Sequence, residues 1–230
     1  MADLLVFAPH PDDAEIHCGG TIAAHVRQGA QVVVVDATRG ELGSRGDATL
    51  RGREAEAAAR VLGLAGREQL GLRDGAVPTD DDGARRLIVD AIRRHGARTV
   101  LCVGGHARHP DHIALAQLVR GAAKAAALHR YGERPALAGV RLWFSEAELP
   151  GAPTLLVPLT DADWQRKREA VRCYGSQLAG STGPQTSISD PAFLEWIDAR
   201  GKAWGFQAGA AYAEAFAGPE APRVGDLRAI

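Results

Sequence analysis

The apolar run Leu4-Leu5-Val6-Phe7 ends in Ala8-Pro9-His10-Pro11-Asp12-Asp13-Ala14-Glu15, and this junction limits the fold more than any other stretch. An apolar run that meets a proline-spaced turn reads as a buried strand delivering polar side chains at its C-terminal end, where open α/β sheets keep their sites. Each proline fixes its own φ and pushes the preceding residue into an extended conformation, so the chain itself holds His10 in place. The adjacent carboxylates of Asp12 and Asp13 repel one another unless a cation relieves them. A divalent metal is the simplest such cation.

The pattern that follows predicts alternating strands and helices. Residues 21–28 have helical composition and stop at Gly29, and the β-branched run 31–36 reads as a parallel strand covered on both faces. A helix over 50–62, a short strand over 68–72 and a helix from about 79 to 95 come next, the last with acidic residues first and Arg93-Arg94-His95 at its end, as the helix dipole favours. The strand 98–103 runs into Gly104-Gly105-His106-Ala107-Arg108-His109-Pro110-Asp111-His112, where Pro110 and Asp111 open a helix reaching Leu128. Strands over 140–144 and 154–159, joined by a Pro/Gly loop, precede a helix capped by Asp161 or Asp163 that ends near Gln177, and Asp190-Pro191 opens another to about Trp204. The last periodic segment, 209–216, is too short and weak to assign. In a doubly wound sheet of order 3-2-1-4-5, strands 1 and 4 flank the topological switch point, so the two His/Asp loops face each other.

Composition narrows the partners. With 27 Lys+Arg against 28 Asp+Glu, the net charge of −1 offers no basic field for nucleic acid or anionic lipid, which leaves a small polar substrate. No apolar run approaches the roughly 20 residues that span a bilayer, and the N-terminus lacks a secretory pattern, so a cytoplasmic location without membrane association is expected. Cys18, Cys102 and Cys173 are far apart and form no CxxC, which predicts free thiols.

Catalytic zinc commonly takes three His or carboxylate ligands and leaves a position for water. His10, Asp13 and His112 supply that set, Asp12 can serve as general base, and His109 can stabilise an oxyanion with Asp111 orienting its ring. His25, His95 and His129 read as helix residues, His106 as a residue of the site's mouth, and His17 as a residue without a partner. Gly19-Gly20-Thr21 lacks a phosphate-loop pattern and reads as close packing against a strand.

His10-Pro11-Asp12-Asp13 with Glu15 and Gly19-Gly20-Thr21, together with His109-Pro110-Asp111-His112, resembles the LmbE/PIG-L superfamily of zinc-dependent N-acetylglucosamine deacetylases. The likeness extends through 38–43, Leu50-Arg51 with Glu54, Tyr174 with Ser176-Gln177, and Tyr212-Ala213-Glu214 with Phe216. It is similar in particular to the bacillithiol branch, which deacetylates N-acetylglucosaminyl malate. The resemblance implies a Rossmann-like three-layer α/β sandwich with a mostly parallel sheet, order 3-2-1-4-5 plus extra strands. A single domain over 1–230 is expected, with a core over 1–160 and a C-terminal helical extension over 161–230. It implies zinc, or another divalent metal such as Fe2+, on His10, Asp13 and His112, with Asp12 as base and His109 as electrostatic catalyst. It also implies a homo-oligomer, with hexamers known in the family and Tyr212 reaching the site. Malate carboxylates favour arginine, and Arg51 and Arg108 are the candidates. An inositol-linked conjugate or an N-acetyl-chitooligosaccharide is the alternative substrate, and a non-catalytic sugar-binding module the alternative role. His17-Cys18 departs from the branch, which often has small or apolar residues there.

Overall fold

The structure, a computed structural model, describes residues 1–146 and 151–221. Elements follow in the order β1 (Leu4–Ala8), α1 (Asp13–Arg27), β2 (Val32–Asp36), α2 (Ala48–Leu62), β3 (Gly66–Gln69), α3 (Asp82–His95), β4 (Thr99–Cys102), α4 (Pro110–Ala125), β5 (Arg141–Ser145), β6 (Leu155–Leu159), α5 (Asp161–Arg172), α6 (Phe193–Ala208) and β7 (Tyr212–Ala217). They build one seven-stranded sheet of order β3-β2-β1-β4-β5-β7-β6. The first five strands pair in parallel, whereas β7 runs antiparallel to both β5 and β6. This is the expected Rossmann-like α/β order with two extra strands.

The continuous apolar character of β1 and β2 follows from helices on both faces. Leu5, Phe7, Val33 and Val35 point to a core shared with α3 and α4, while Leu4, Val6, Val32 and Val34 point to the opposite core with α1, α2 and α5. A third cluster, with Ile16, Trp164 and Ile197, joins α1 to α5 and α6.

Several boundaries differ from the expectation. The first helix begins at Asp13 and not at Thr21, and breaks at Cys18, whose φ of −139° is non-helical. The helix expected to open at Asp190-Pro191 begins at Phe193, because the Asp190 carboxylate accepts the Ala192 N–H in a turn before it. The 68–72 strand is β3 at 66–69, with Leu70 and Leu72 still donating to the backbone of Asp36 and Ala37. His129 follows α4 and lies outside it. The segment after residue 161 is not helical alone, since 209–216 yields β7, which inserts between β5 and β6. Residues 147–150 of the Pro/Gly loop and 222–230 of the expected extension lie outside the described residues. Among the described residues no helix is long and apolar enough to cross a membrane, and Cys18, Cys102 and Cys173 are free thiols.

The break at Cys18 exposes a fresh helix N-terminus at Gly19-Gly20-Thr21, and Glu214 from β7 occupies it. Its Oε1 accepts from Gly20 N at 3.1 Å and Lys167 Nζ at 2.5 Å, and its Oε2 accepts from Thr21 N at 2.7 Å. A Cβ at Gly20 would lie 2.5 Å from Leu159 Cδ1, so a larger residue would have to push the Leu159 side chain of β6 aside. Gly20 thus packs closely against strand side chains of β6 and β7, whereas Gly19 faces Lys167 of α5. Burial pulls the Lys167 pKa down while Glu214 holds it up. Glu214→Ala leaves this ammonium, 1% exposed, without its counter-ion, and is expected to destabilise the fold by about 3–5 kcal/mol in urea denaturation. Glu214→Gln, which still accepts from the backbone, is expected to lose less.

Candidate active site

The ends of β1 and β4 deliver the two His/Asp loops to one side of the switch point. Gly104 makes this approach possible: its φ is +112°, and a Cβ there would lie 2.5 Å from the His112 carbonyl oxygen. His109 caps α4, with Pro110 in its first turn, and its ring Nδ1 accepts the Asp111 N–H at 3.2 Å. The rings of His10, His109 and His112 gather with centroids 4.9 to 5.5 Å apart.

Asp13 lies between two of them. Its Oδ2 is 3.1 Å from His10 Nδ1 and 3.2 Å from His112 Nε2, and accepts the His10 N–H at 3.0 Å. Tetrahedral ligands held about 2.0 Å from an ion lie roughly 3.3 Å apart, so these spacings suit a shared cation. The donors form three overlapping groups, His10–His109–His112, Asp13–His17–His112 and His10–Asp74–Asp111, each within 4.8 Å. Two imidazoles and a carboxylate are a borderline-soft set that fits zinc or a similar divalent metal.

The far nitrogen of His10 faces carboxylates. Its Nε2 is 3.1 Å from Asp74 and 3.2 Å from Asp111. Burial opposes the charge on His10, but hydrogen bonds to Asp111, Asp13 and Asp74 push its pKa up to about 12. Burial likewise opposes ionisation of Asp111, yet bonds from His10, Gly75 N and Val77 N hold it down at about 2. The expected orientation of Asp111 toward the His109 ring is therefore corrected. Its backbone N–H serves His109, while its carboxylate serves His10 and the 75–77 turn.

Asp12 has φ +110°, the single positive value among the described non-glycine residues. Such a backbone costs of order 1–3 kcal/mol and persists where its surroundings impose it. The imposing partner is Arg51 from α2, whose Nη2 bonds Pro11 O at 2.5 Å and Asp12 Oδ2 at 3.0 Å, while Nη1 bonds Gly40 O. Burial drives the Asp12 pKa up to about 7, with the Arg51 charge pulling down and Asp13 pushing up. The His109 pKa is lowered by burial and by His10 and His112. A neutral ring whose Nδ1 accepts keeps its proton on Nε2.

These residues line a cleft of about 780 Å³, at the upper part of the range for small-molecule sites. Arg51 and Arg108 both border it, as do Asp74, His17, Trp196 and Arg200. Tyr212 does not: within the chain its ring stacks on Trp164 at 4.6 Å. His25, His95 and His106 bond to Thr21 O, Glu68 and Glu146 and take no part. Three residues escaped the sequence reading. Asp74 showed only a turn signal, Arg200 lies in a helix without a motif, and His17 carried one unused clue, its spacing of four from Asp13.

Residues 5–123 match the family model described as PIG-L, GlcNAc-PI de-N-acetylase. A probable N-acetyl-alpha-D-glucosaminyl L-malate deacetylase 2 of Bacillus anthracis is 29% identical over 189 residues, 76% of this chain and 81% of the relative. The crystal structure of the conserved protein TT1542 from Thermus thermophilus is 36% identical, covers 97% of this chain and 98% of its own, and superposes with a TM-score of 0.87. The 4-carboxy-2-hydroxymuconate hydratase GalB of Pseudomonas putida shares the fold at TM-score 0.82 and 22% identity, over 99% of this chain and all of its own. With over half of its length matched by the family model and the paired His/Asp loops brought together, the chain belongs to the PIG-L (LmbE) family of de-N-acetylases, hydrolases of linear amide bonds.

Proposed function

We propose that this protein removes the acetyl group from N-acetylglucosaminyl malate, using a divalent metal, zinc first, held by His10, Asp13 and His112. The observation that carries the hydrolytic reading is Asp12, a buried carboxylate strained into place beside the donor cluster, with its pKa raised to about 7. An ion held there would supply Lewis acidity toward an amide carbonyl and would acidify water. Asp12 takes the proton of the attacking water as its oxygen bonds the acetyl carbon. His109, neutral and protonated on Nε2, donates a hydrogen bond to the developing oxyanion. Asp12 then returns the proton to the sugar nitrogen, the C–N bond breaks, and acetate and a free amine leave.

The acetamide fits every amino-sugar conjugate named for the relatives, so the aglycone rests on other groups. Arg51 is already engaged by Asp12 and two carbonyls, which turns its expected role from malate binding toward holding the base. Arg108, which lines the cleft together with Arg200, is the guanidinium we assign to the malate carboxylates.

Release of primary amine from N-acetylglucosaminyl malate, compared with N-acetylglucosamine and its inositol conjugate, tests this reading. A strong malate preference is expected; none would remove the malate assignment, and no acetate from any of them would remove the deacetylase. A chelator should abolish turnover and a divalent ion should restore it. Asp12→Asn should lower kcat/KM by about 10²–10⁴ with metal content retained. Because the Arg51 charge lowers the Asp12 pKa, Arg51→Met should raise it, moving the acid limb of the kcat/KM profile to higher pH.

A further inference from the structure

His17 is buried at the cleft floor, 7% exposed, and none of the steps above uses it. It lies four residues after Asp13 on the first half of α1, before the break at Cys18. Residues four apart on a helix share a face, and this is the spacing by which one helix presents two ligands to a single ion. Donor atoms of Asp13, His17 and His112 lie within 4.8 Å of one another, and the His17 and His112 rings approach to 5.8 Å at 61°. From β5, Ser145 Oγ sits 3.3 Å from His17 Nδ1. A ring fixed at Nδ1 leaves Nε2 as its donor, which is how metal-bound imidazoles are commonly oriented.

Resting on the metal reading above, we propose that His17 is a fourth protein ligand to the ion held by His10, Asp13 and His112. Simple packing explains the residue poorly. An apolar side chain would fill the same space without the cost of burying an imidazole. The proposal has a chemical consequence: four protein donors close a tetrahedral centre, so a working site must expand to at least five positions. That requirement favours ions tolerant of higher coordination, Fe2+ or Co2+ beside zinc.

The test is a count of imidazoles around the ion. Full-length protein loaded with Co2+ is examined by X-ray absorption and by its visible spectrum, beside His17→Ala, His17→Gln and Ser145→Ala. Three imidazoles and one ion per chain are expected in the parent. His17→Ala should show two, an altered cobalt spectrum and a Kd for Co2+ raised by about 10–100-fold. Ser145→Ala should keep three with a smaller loss of affinity. Two imidazoles in the parent, an unchanged spectrum in His17→Ala, or a second ion per chain that vanishes with His17 would overturn the assignment. Because His109 also stands within donor distance of His10 and His112, the count is repeated in His109→Ala, which should keep three; a fall to two there would overturn the assignment even where the His17 variants fail to fold. Absence of any bound divalent ion would remove the metal reading itself, and this assignment with it.

Discussion

The contact of one carboxylate oxygen of Asp13 with the imidazoles of His10 and His112 is the joint on which the site depends. It ties the end of β1 to the start of α4, two segments about a hundred residues apart that only the adjacency of β1 and β4 makes neighbours. Everything placed nearby inherits its position from this joint. His109 caps the helix that carries His112, and Asp12 is the residue between His10's proline and Asp13. A shift of either strand would separate the proposed ligands, base and oxyanion donor together.

Holding that joint requires charges to be buried, and the fold answers each with a partner. Arg67 reaches under α1 to bond both carboxylate oxygens of Asp36 and Glu15 Oε1. Arg51 restrains Asp12, Lys167 meets Glu214, and Asp74 and Asp111 face the outer nitrogen of His10. Removing one member of such a pair typically costs about 3–5 kcal/mol, comparable with much of a domain's net stability. The polar layer beneath the site is therefore as structural as the apolar core.

The sheet order and the two facing loops were legible because they rest on local signals: β-branched runs, proline-spaced turns and helix caps. What sequence could not supply was the direction of individual side chains. Asp111 stands two residues from His109, yet its carboxylate turns to His10 because the 75–77 turn offers it two backbone N–H groups. Arg51 is a helix residue whose partner lies 39 positions away. β7 escaped because its pairing with β5 and β6 is long-range and its alanines carry little strand preference. Tyr212 stacks on Trp164, a contact no local pattern announces.

The same sheet carries a hydratase elsewhere, so the fold by itself does not name the reaction and the side chains decide it. Amide hydrolysis requires that the leaving nitrogen receive a proton before it can depart as an amine. A carboxylate with an ordinary pKa would take the water's proton weakly and give it up to solvent. In the proposed reaction Asp12, buried and raised to about 7, accepts that proton and then hands it on near neutral pH. His109 is not assigned that step in the proposal, since burial and two neighbouring imidazoles lower its pKa and its one ring proton is given to the oxyanion. In the proposed reaction, the strain at Asp12, its burial and its bond to Arg51 together set the position and acidity of the base.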